Sequence, residues 1–299
     1  MEAARQPLGL RATGKTRRRL AKSRAVDVLA TLAAAGAVAV LGWVVISVLL
    51  KGLSALDWGF FTQNAPTFNP TGTTSGGGIA NAIVGTAIMV GIATVMALPF
   101  GVLVAIYVSE FSRPAFARAV RLALDVLNGI PSIVIGICVF VLLVKGTGYS
   151  GYSGAFALAI IMVPLIARAT MEVLELVPAS LREASFALGV SKWRTVLKVL
   201  MPTVFGGILT GATLAVARAA GETAPMIFTN LVYQNKVSTD PSQALASIPL
   251  TIFNYSESFD THLNDQAWAA AFVLMSFVLI SSLTARALLM RSQRKLRGR

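Results

Sequence analysis

Apolar residues along this chain gather into six runs almost free of charge: residues 28–50, 79–108, 120–144, 154–171, 203–226 and 267–290. A helix needs about 20 residues to cross a hydrocarbon core about 30 Å thick, and each run meets or approaches that length. Short alternating segments of the kind that build a β-barrel are missing, so each run reads as a helix. The pattern predicts an all-α polytopic membrane protein with six transmembrane helices. The second run is long enough to tilt or to project from the bilayer.

Between the fourth and fifth runs the pattern changes to a charged amphipathic stretch, SLREASFALGVSKWRTVLKVLMP, from Ser180 to Pro202. Pro178 discourages the preceding helix from running on. Ser180 and Glu183 have the S-x-x-E spacing of a capping box, which predicts a new short helix there. Leu181, Ala184 and Leu188 recur at helical spacing and give it one apolar stripe. Gly189 is placed to end it in a left-handed cap, and Ser191 to cap the next helix. A short capped helix in a hairpin at a membrane surface suits a groove on a soluble partner.

Composition supports the membrane reading. The chain has 299 residues, 55% hydrophobic and only 13% charged; a soluble chain carries about twice that charged fraction. The net charge of +13 comes from 26 Lys and Arg, and their placement matters more than their number. Eight precede the first run, three lie between runs two and three, five in or beside the loop after run four, and six from Arg286 onward. The opposite side has only Lys51, Lys145 and Lys236. By the positive-inside rule both termini are expected in the cytoplasm. The basic N-terminal segment has no aromatic residue for base stacking, which argues against nucleic acid; it suits anionic lipid instead. The expected organisation is a basic tail over 1–25, a six-helix domain over 26–290 with its loop at about 173–202, and a basic tail over 291–299.

Several further signals carry little. Gly9-Leu-Arg-Ala-Thr-Gly14-Lys15-Thr16 fits the GxxxxGK[ST] phosphate-loop pattern, but no strand can precede it, and it reads as a chance match in an unstructured tail. The basic stretch before a long apolar run fits a retained first span better than a cleaved signal. Cys138 is the single cysteine, which excludes a disulfide framework and a Cys-based metal site. His262 reads as a solvated loop residue. The loops 51–78, 145–153 and 230–266 fall on the exterior side. The first reads as irregular; the last has a possible short helix over 244–252, with Phe253, Tyr255 and Phe259 suited to an interface.

What chemistry remains lies inside the membrane. Arg218 and Glu222 are four apart in the fifth run, so a continuous helix would put them on one face as a pair. An Arg at the bilayer centre costs at least about 2.5–3.5 kcal/mol, so both should face the bundle interior or a water-filled path. A guanidinium bonds two oxygens of a phosphate-like anion at once, and Glu222 would hold it oriented and partly neutralised. A packing ion pair is the alternative. Arg168, late in the fourth run, is a second candidate for the path unless it snorkels to the surface. Asp125 is expected to pair with Arg121, and Gly207-x-x-x-Gly211 to allow close helix approach.

Glu183-Ala184-Ser185, Gly189 and Val199-Leu200-Met201-Pro202 resemble the EAA loop of ABC-importer permeases, with Ser185, Val199 and Met201 as mild departures. Three further stretches narrow the likeness: Gly77-Gly78-Ile79-x-x-Ala82-Ile83-x-Gly85-Thr86, Gly129-Ile130-Pro131-Ser132-Ile133-Val134-x-Gly136 and Arg218-Ala219-x-Gly221-Glu222-Thr223-Ala224-Pro225. Together they resemble the PstA family of phosphate-importer permeases. The resemblance implies a MetI-like permease bundle in a bacterial inner membrane that itself hydrolyses nothing. The implied partners are a PstC-like permease, a PstB-like ATPase dimer carrying ATP and Mg, and an exterior PstS-like phosphate-binding protein. Ser180, Glu183, Ala184, Leu188, Gly189 and Trp193 would then belong to the ATPase-coupling segment, and Arg218, Glu222 and Arg168 to the phosphate path. A permease for sulfate or molybdate, or an ion-coupled transporter, are the alternatives.

Overall fold

The structure, a computed structural model, describes residues 14–66, 77–230 and 236–297. Among these there are helices and no strands. They are α1 Lys15–Ser54, α2 Trp58–Thr62, α3 Ala80–Phe111, α4 Pro114–Gly129, α5 Ser132–Thr147, α6 Gly151–Glu175, α7 Ala179–Ala187, α8 Lys192–Ala220, α9 Ala224–Thr229, α10 Ile248–Ser256 and α11 Thr261–Arg297. Three of them contain a wide π turn: Tyr107–Phe111 ends α3, Phe140–Val144 lies in α5, and Val196–Leu200 lies in α8. The chain divides into two units, residues 1–50 and 51–299. Among the described residues the first holds most of α1; the second holds the packing described below.

Five helices are long and apolar enough to cross a membrane alone: α1, α3, α6, α8 and α11. The expected third span is not one helix. It is the pair α4 and α5, bent by 95° at Ile130 and Pro131, and only if the pair counts as one crossing does the total reach six. Pro131 lacks an N–H and drives Ile130 to extended backbone (φ −69°, ψ 130°), so the helix cannot continue through it. The fifth span also differs, starting at Lys192 and ending at Ala220 rather than continuing to residue 226. Gly221 closes it, and Pro225 sits in the first turn of α9 instead.

Other expectations are corrected in detail. The basic segment expected to be unstructured is helical from Lys15; residues 9–13 of the phosphate-loop match lie outside the described residues. Residues 67–76 and 231–235 of the two long loops do too. Asp57-Trp-Gly-Phe-Phe is not irregular: the Asp57 carboxylate accepts from Phe60 N–H at 2.6 Å and caps α2. The helix expected over 244–252 is α10, which starts four residues later: residues 244–247 are non-helical and buried, Ser247 is extended, and the Ala246 backbone lies against Gly85 of α3. Tyr255 is buried in the core rather than at an interface, whereas Phe253 and Phe259 are exposed.

The core lies between α3 and α6, where small residues bring the helices together. Ala93 and Ala97 on α3 pack with Ala155, Ala159 and Met162 on α6, all buried. Gly207 and Gly211 on α8 meet Val173 and Ala169 of α6, so closely that a methyl group at either glycine would overlap them. The GxxxG spacing therefore does what it predicts. The first sequence motif has a packing role as well. Gly85 lies against the Ala246 backbone, and the Thr86 hydroxyl accepts from Ile248 N–H at 2.9 Å, so α3 carries the segment before α10.

Candidate functional site

Two regions bring the sequence candidates together, one at the broken end of α8 and one around α7. At the first, α8 ends in the turn Gly221 to Thr223, with Gly221 N–H donating to Arg218 O and Glu222 N–H to Ala219 O. Glu222 therefore lies past the helix end, not on the same helical face as expected, but reaches back to Arg218. The guanidinium Nε donates to Glu222 Oε1 at 3.4 Å. Charge-assisted bonds are usually about 2.7–2.9 Å, so this contact is loose. It is the one polar contact of the Arg218 side chain among the described residues, and it leaves both terminal nitrogens of the fork unengaged. The Arg218 side chain is 53% exposed and that of Glu222 14%.

The break is held firmly from behind. Short α9 packs on α5 at Gly136, whose missing Cβ lets Pro225 approach its backbone. The two motifs Gly129–Gly136 and Arg218–Pro225, far apart in sequence, thus meet through the first residues beyond each helix break. Thr229 and Asn230 at the end of α9 are buried. Ser153 on α6 donates to Thr229 O at 3.1 Å, and Asn230 donates to Met89 Sδ on α3 at 2.9 Å and accepts from Leu245 N–H at 3.4 Å. Interrupted helices at membrane depth are tolerated where they line a protein interior or an aqueous path, which fits a half-exposed arginine at the break.

Arg168 is not near this break in its contacts. It forms an ion pair with Asp125 of α4, while Arg121 pairs with Glu175 at 2.6 Å. The expected Asp125–Arg121 pair is corrected: both side chains reach across to α6, because the 95° bend lays α4 along it.

The second region is the segment from Pro178 to Leu200. The helix α7 starts at Ala179 with Pro178 at its N-cap and no side-chain cap, so the Ser180–Glu183 capping box does not form. Pro178 sets the start two residues too early for it. Such a box does form elsewhere, between Ser150 and Ser153 at the start of α6. Gly189 closes α7 at φ +72°, with its N–H donating to Phe186 O at 2.9 Å and Val190 N–H to Ser185 O at 3.1 Å. This is the Schellman pattern, and it needs a residue at ease with positive φ. Ser191 sits at the N-cap of α8 but makes no side-chain cap bond.

The stripe of Leu181, Ala184 and Leu188 faces away from the chain's own core, with Leu188 83% exposed. Ser180 and Glu183 are exposed beside it. Ser185 points the other way, buried, with its hydroxyl 2.8 Å from that of Thr195. Trp193 lies on Phe111 with ring centroids 4.5 Å apart, and Lys192 Nζ is 5.3 Å from the Phe111 centroid. Sequence reasoning missed Arg182, which binds Glu110 of α3 through Nε at 3.1 Å and Nη2 at 2.8 Å. An arginine next to the EAA-like residues was the available signal; its partner, 72 positions away, was not readable.

Comparison with known proteins agrees with this geometry. The family described as "Binding-protein-dependent transport system inner membrane component" matches residues 97–295. The "Phosphate transport system permease protein PstA" of Yersinia pestis is 40% identical over 246 residues, covering 82% of this chain and 82% of that protein. The protein of the same description from Haemophilus influenzae is 40% identical, over 82% of this chain and 85% of its own length. "Phosphate transport system permease protein PstA 1" of Mycobacterium tuberculosis is 37% identical over 70% of this chain and 69% of its own. Among solved structures, a bacterial alginate ABC transporter shares the fold with a TM-score of 0.64 at 12% identity, over 93% of this chain and 98% of that one. An inward-facing MetNI methionine ABC transporter does so with a TM-score of 0.56 at 20% identity, over 71% of this chain and 93% of that one. An interrupted helix carrying Arg218 and Glu222, an outward-facing helix closed at Gly189, and this extent of identity lead to one conclusion: the chain belongs to the binding-protein-dependent transport system inner membrane components and, within them, to the PstA phosphate transport system permease proteins.

Proposed function

We propose that this chain is the permease subunit of an ATP-driven inorganic phosphate importer in a bacterial inner membrane, forming half of the translocation path. The observation that carries the reading is Arg218 at the break after α8. Its charge is only loosely matched by Glu222 and its terminal nitrogens have no partner among the described residues. Left against lipid, such a group would cost at least about 2.5–3.5 kcal/mol. Its exposed half therefore meets a second permease subunit or water, and a dianionic phosphate is the ligand its fork suits. Glu222 keeps the site from holding the anion permanently. Arg168, engaged by Asp125, takes a lesser part.

The remaining parts follow the same reading. Both termini lie in the cytoplasm, as the basic ends require. The exposed face of α7, with Leu181, Ala184 and Leu188, docks in a cleft of a cytoplasmic PstB-like ATPase dimer, which holds the ATP and Mg; this chain needs no cofactor and hydrolyses nothing. A PstC-like subunit completes the path, and a PstS-like binding protein delivers phosphate from outside. The test is uptake of radiolabelled phosphate by proteoliposomes containing the four components, with and without the ATPase. Uptake that needs ATP and the ATPase, and that excess sulfate or molybdate does not suppress, is expected. Uptake by this chain alone, or full suppression by sulfate, would refute the reading.

A further inference from the structure

The connection between α7 and α3 is stronger than the fold requires. Arg182 uses every nitrogen of its guanidinium: Nε faces both Glu110 oxygens at 3.1 and 3.4 Å, and Nη2 donates to Glu110 Oε1 at 2.8 Å and to Leu174 O at 2.9 Å. The third nitrogen, Nη1, donates to Val177 O at 2.8 Å. Leu174 lies in the last turn of α6 and Val177 just beyond it, at a helix C-terminus, where a cation is favoured. The Glu110 side chain is 8% exposed. A buried carboxylate stripped of its partner is strongly disfavoured, so this contact does not open casually.

The next residue along α3 adds a second fastening. Phe111 stacks on Trp193, in the first turn of α8 and beyond the Gly189 turn. The buried Ser185–Thr195 hydroxyl pair ties α7 to that same turn of α8. Glu110 and Phe111 are neighbours in the π turn that ends α3, and a second π turn, Val196–Leu200, begins directly after Thr195. Such turns are frequent at functional sites. Without these fastenings, the joints at Pro178 and Gly189 would absorb a push on α7 before it reached the spans.

We infer that Arg182 is a positioning residue that clamps α7 to the end of α3, so that α3 moves with α7 together with α6 and α8, to which α7 is joined through the chain. This rests on the proposed function, in which α7 is the part an ATPase moves. The test is the full complex in proteoliposomes, read as phosphate taken up per ATP hydrolysed. Arg182→Gln should continue to hydrolyse ATP while that ratio falls at least tenfold. Arg182→Lys, which keeps a cation against Glu110 and the helix end, should retain at least a third of the wild-type ratio, whereas Arg182→Gln should not. A wild-type ratio in Arg182→Gln, or no difference between Arg182→Lys and Arg182→Gln, overturns the clamp.

A second arm does not depend on the charges. In a Cys138→Ser background, Glu110→Cys and Arg182→Cys are joined by a short bis-methanethiosulfonate cross-linker, each cysteine thiolate forming a disulfide as methanesulfinate leaves. If α3 and α7 move as one body, bridging restores the ratio lost in the unbridged pair. If bridging instead stops transport, the contact must open in each cycle and the clamp is wrong. Absence of ATP-dependent phosphate uptake in the wild-type complex sinks the parent assignment, a different outcome from either of these.

Discussion

The two ends of α8 are built in opposite ways. At its start, α7 and the first turn of α8 are tied to α3 by Arg182–Glu110, Phe111–Trp193 and the buried Ser185–Thr195 pair. At its far end Arg218 has a single contact at 3.4 Å and stands half exposed. In the first region Arg182, Glu110, Ser185 and Thr195 are paired within the chain, as in a part that transmits force. The second keeps binding capacity unspent, as a part that must hold and release an anion should. On the proposed function, side-chain pairing is dense where motion would be delivered and sparse at the guanidinium where the anion would pass.

The sharpest way to break this contrast is at Arg218. Arg218→Gln should lower phosphate uptake at least a hundredfold while the subunit still inserts and assembles, measured by uptake and by co-purification of the complex. Next in size is Gly189→Pro, which cannot adopt φ +72° and should destroy the α7 turn. ATP hydrolysis should then lose its link to uptake by at least tenfold, and Gly189→Ala, strained by about 1–2 kcal/mol, should fall between. Arg168→Gln should cost uptake only about threefold to tenfold, because its partner Asp125 lies on α4 rather than at the break. A loss as deep as that of Arg218→Gln would put Arg168 on the path and erase the contrast. Ser185→Ala should lower stability by about 1 kcal/mol, as read by thermal unfolding in detergent, with a smaller loss of uptake than any variant above because the Arg182 and Phe111 fastenings remain.

The smallest effect concerns Asp240, before α10, whose carboxylate is held below its ordinary range by the side chain and backbone N–H of Ser242. A lowered carboxylate favours the folded loop above the ordinary pKa, and that contribution disappears as pH falls through the lowered value. Amide protection around Ser242, taken relative to the intrinsic exchange rate at each pH, should therefore fall only in acid, and Asp240→Asn should remove that change without touching uptake.

Much of this was readable beforehand, for physical reasons that can be named. Long uncharged runs give spans directly, and Gly189 announces its turn because few residues accept positive φ. The charge at Arg218 is conspicuous because membranes exclude such groups. Hydropathy cannot see the 95° bend, since Pro131 is a small interruption in an apolar run whose average it barely alters. The Ser180–Glu183 spacing suggested a capping box that Pro178 pre-empted by starting the helix earlier. Asp125 and Arg121 satisfied a local rule, but the bend offered each a better partner on α6. Arg182 and Glu110 could be joined only once the helices were placed in space.

The most direct measurement is ATP-driven phosphate uptake by the reconstituted complex carrying Arg218→Gln beside the wild type. The account predicts rapid uptake by the wild type and almost none by the variant, with both complexes intact and both hydrolysing ATP. Uptake at the wild-type rate by intact Arg218→Gln complexes would contradict it.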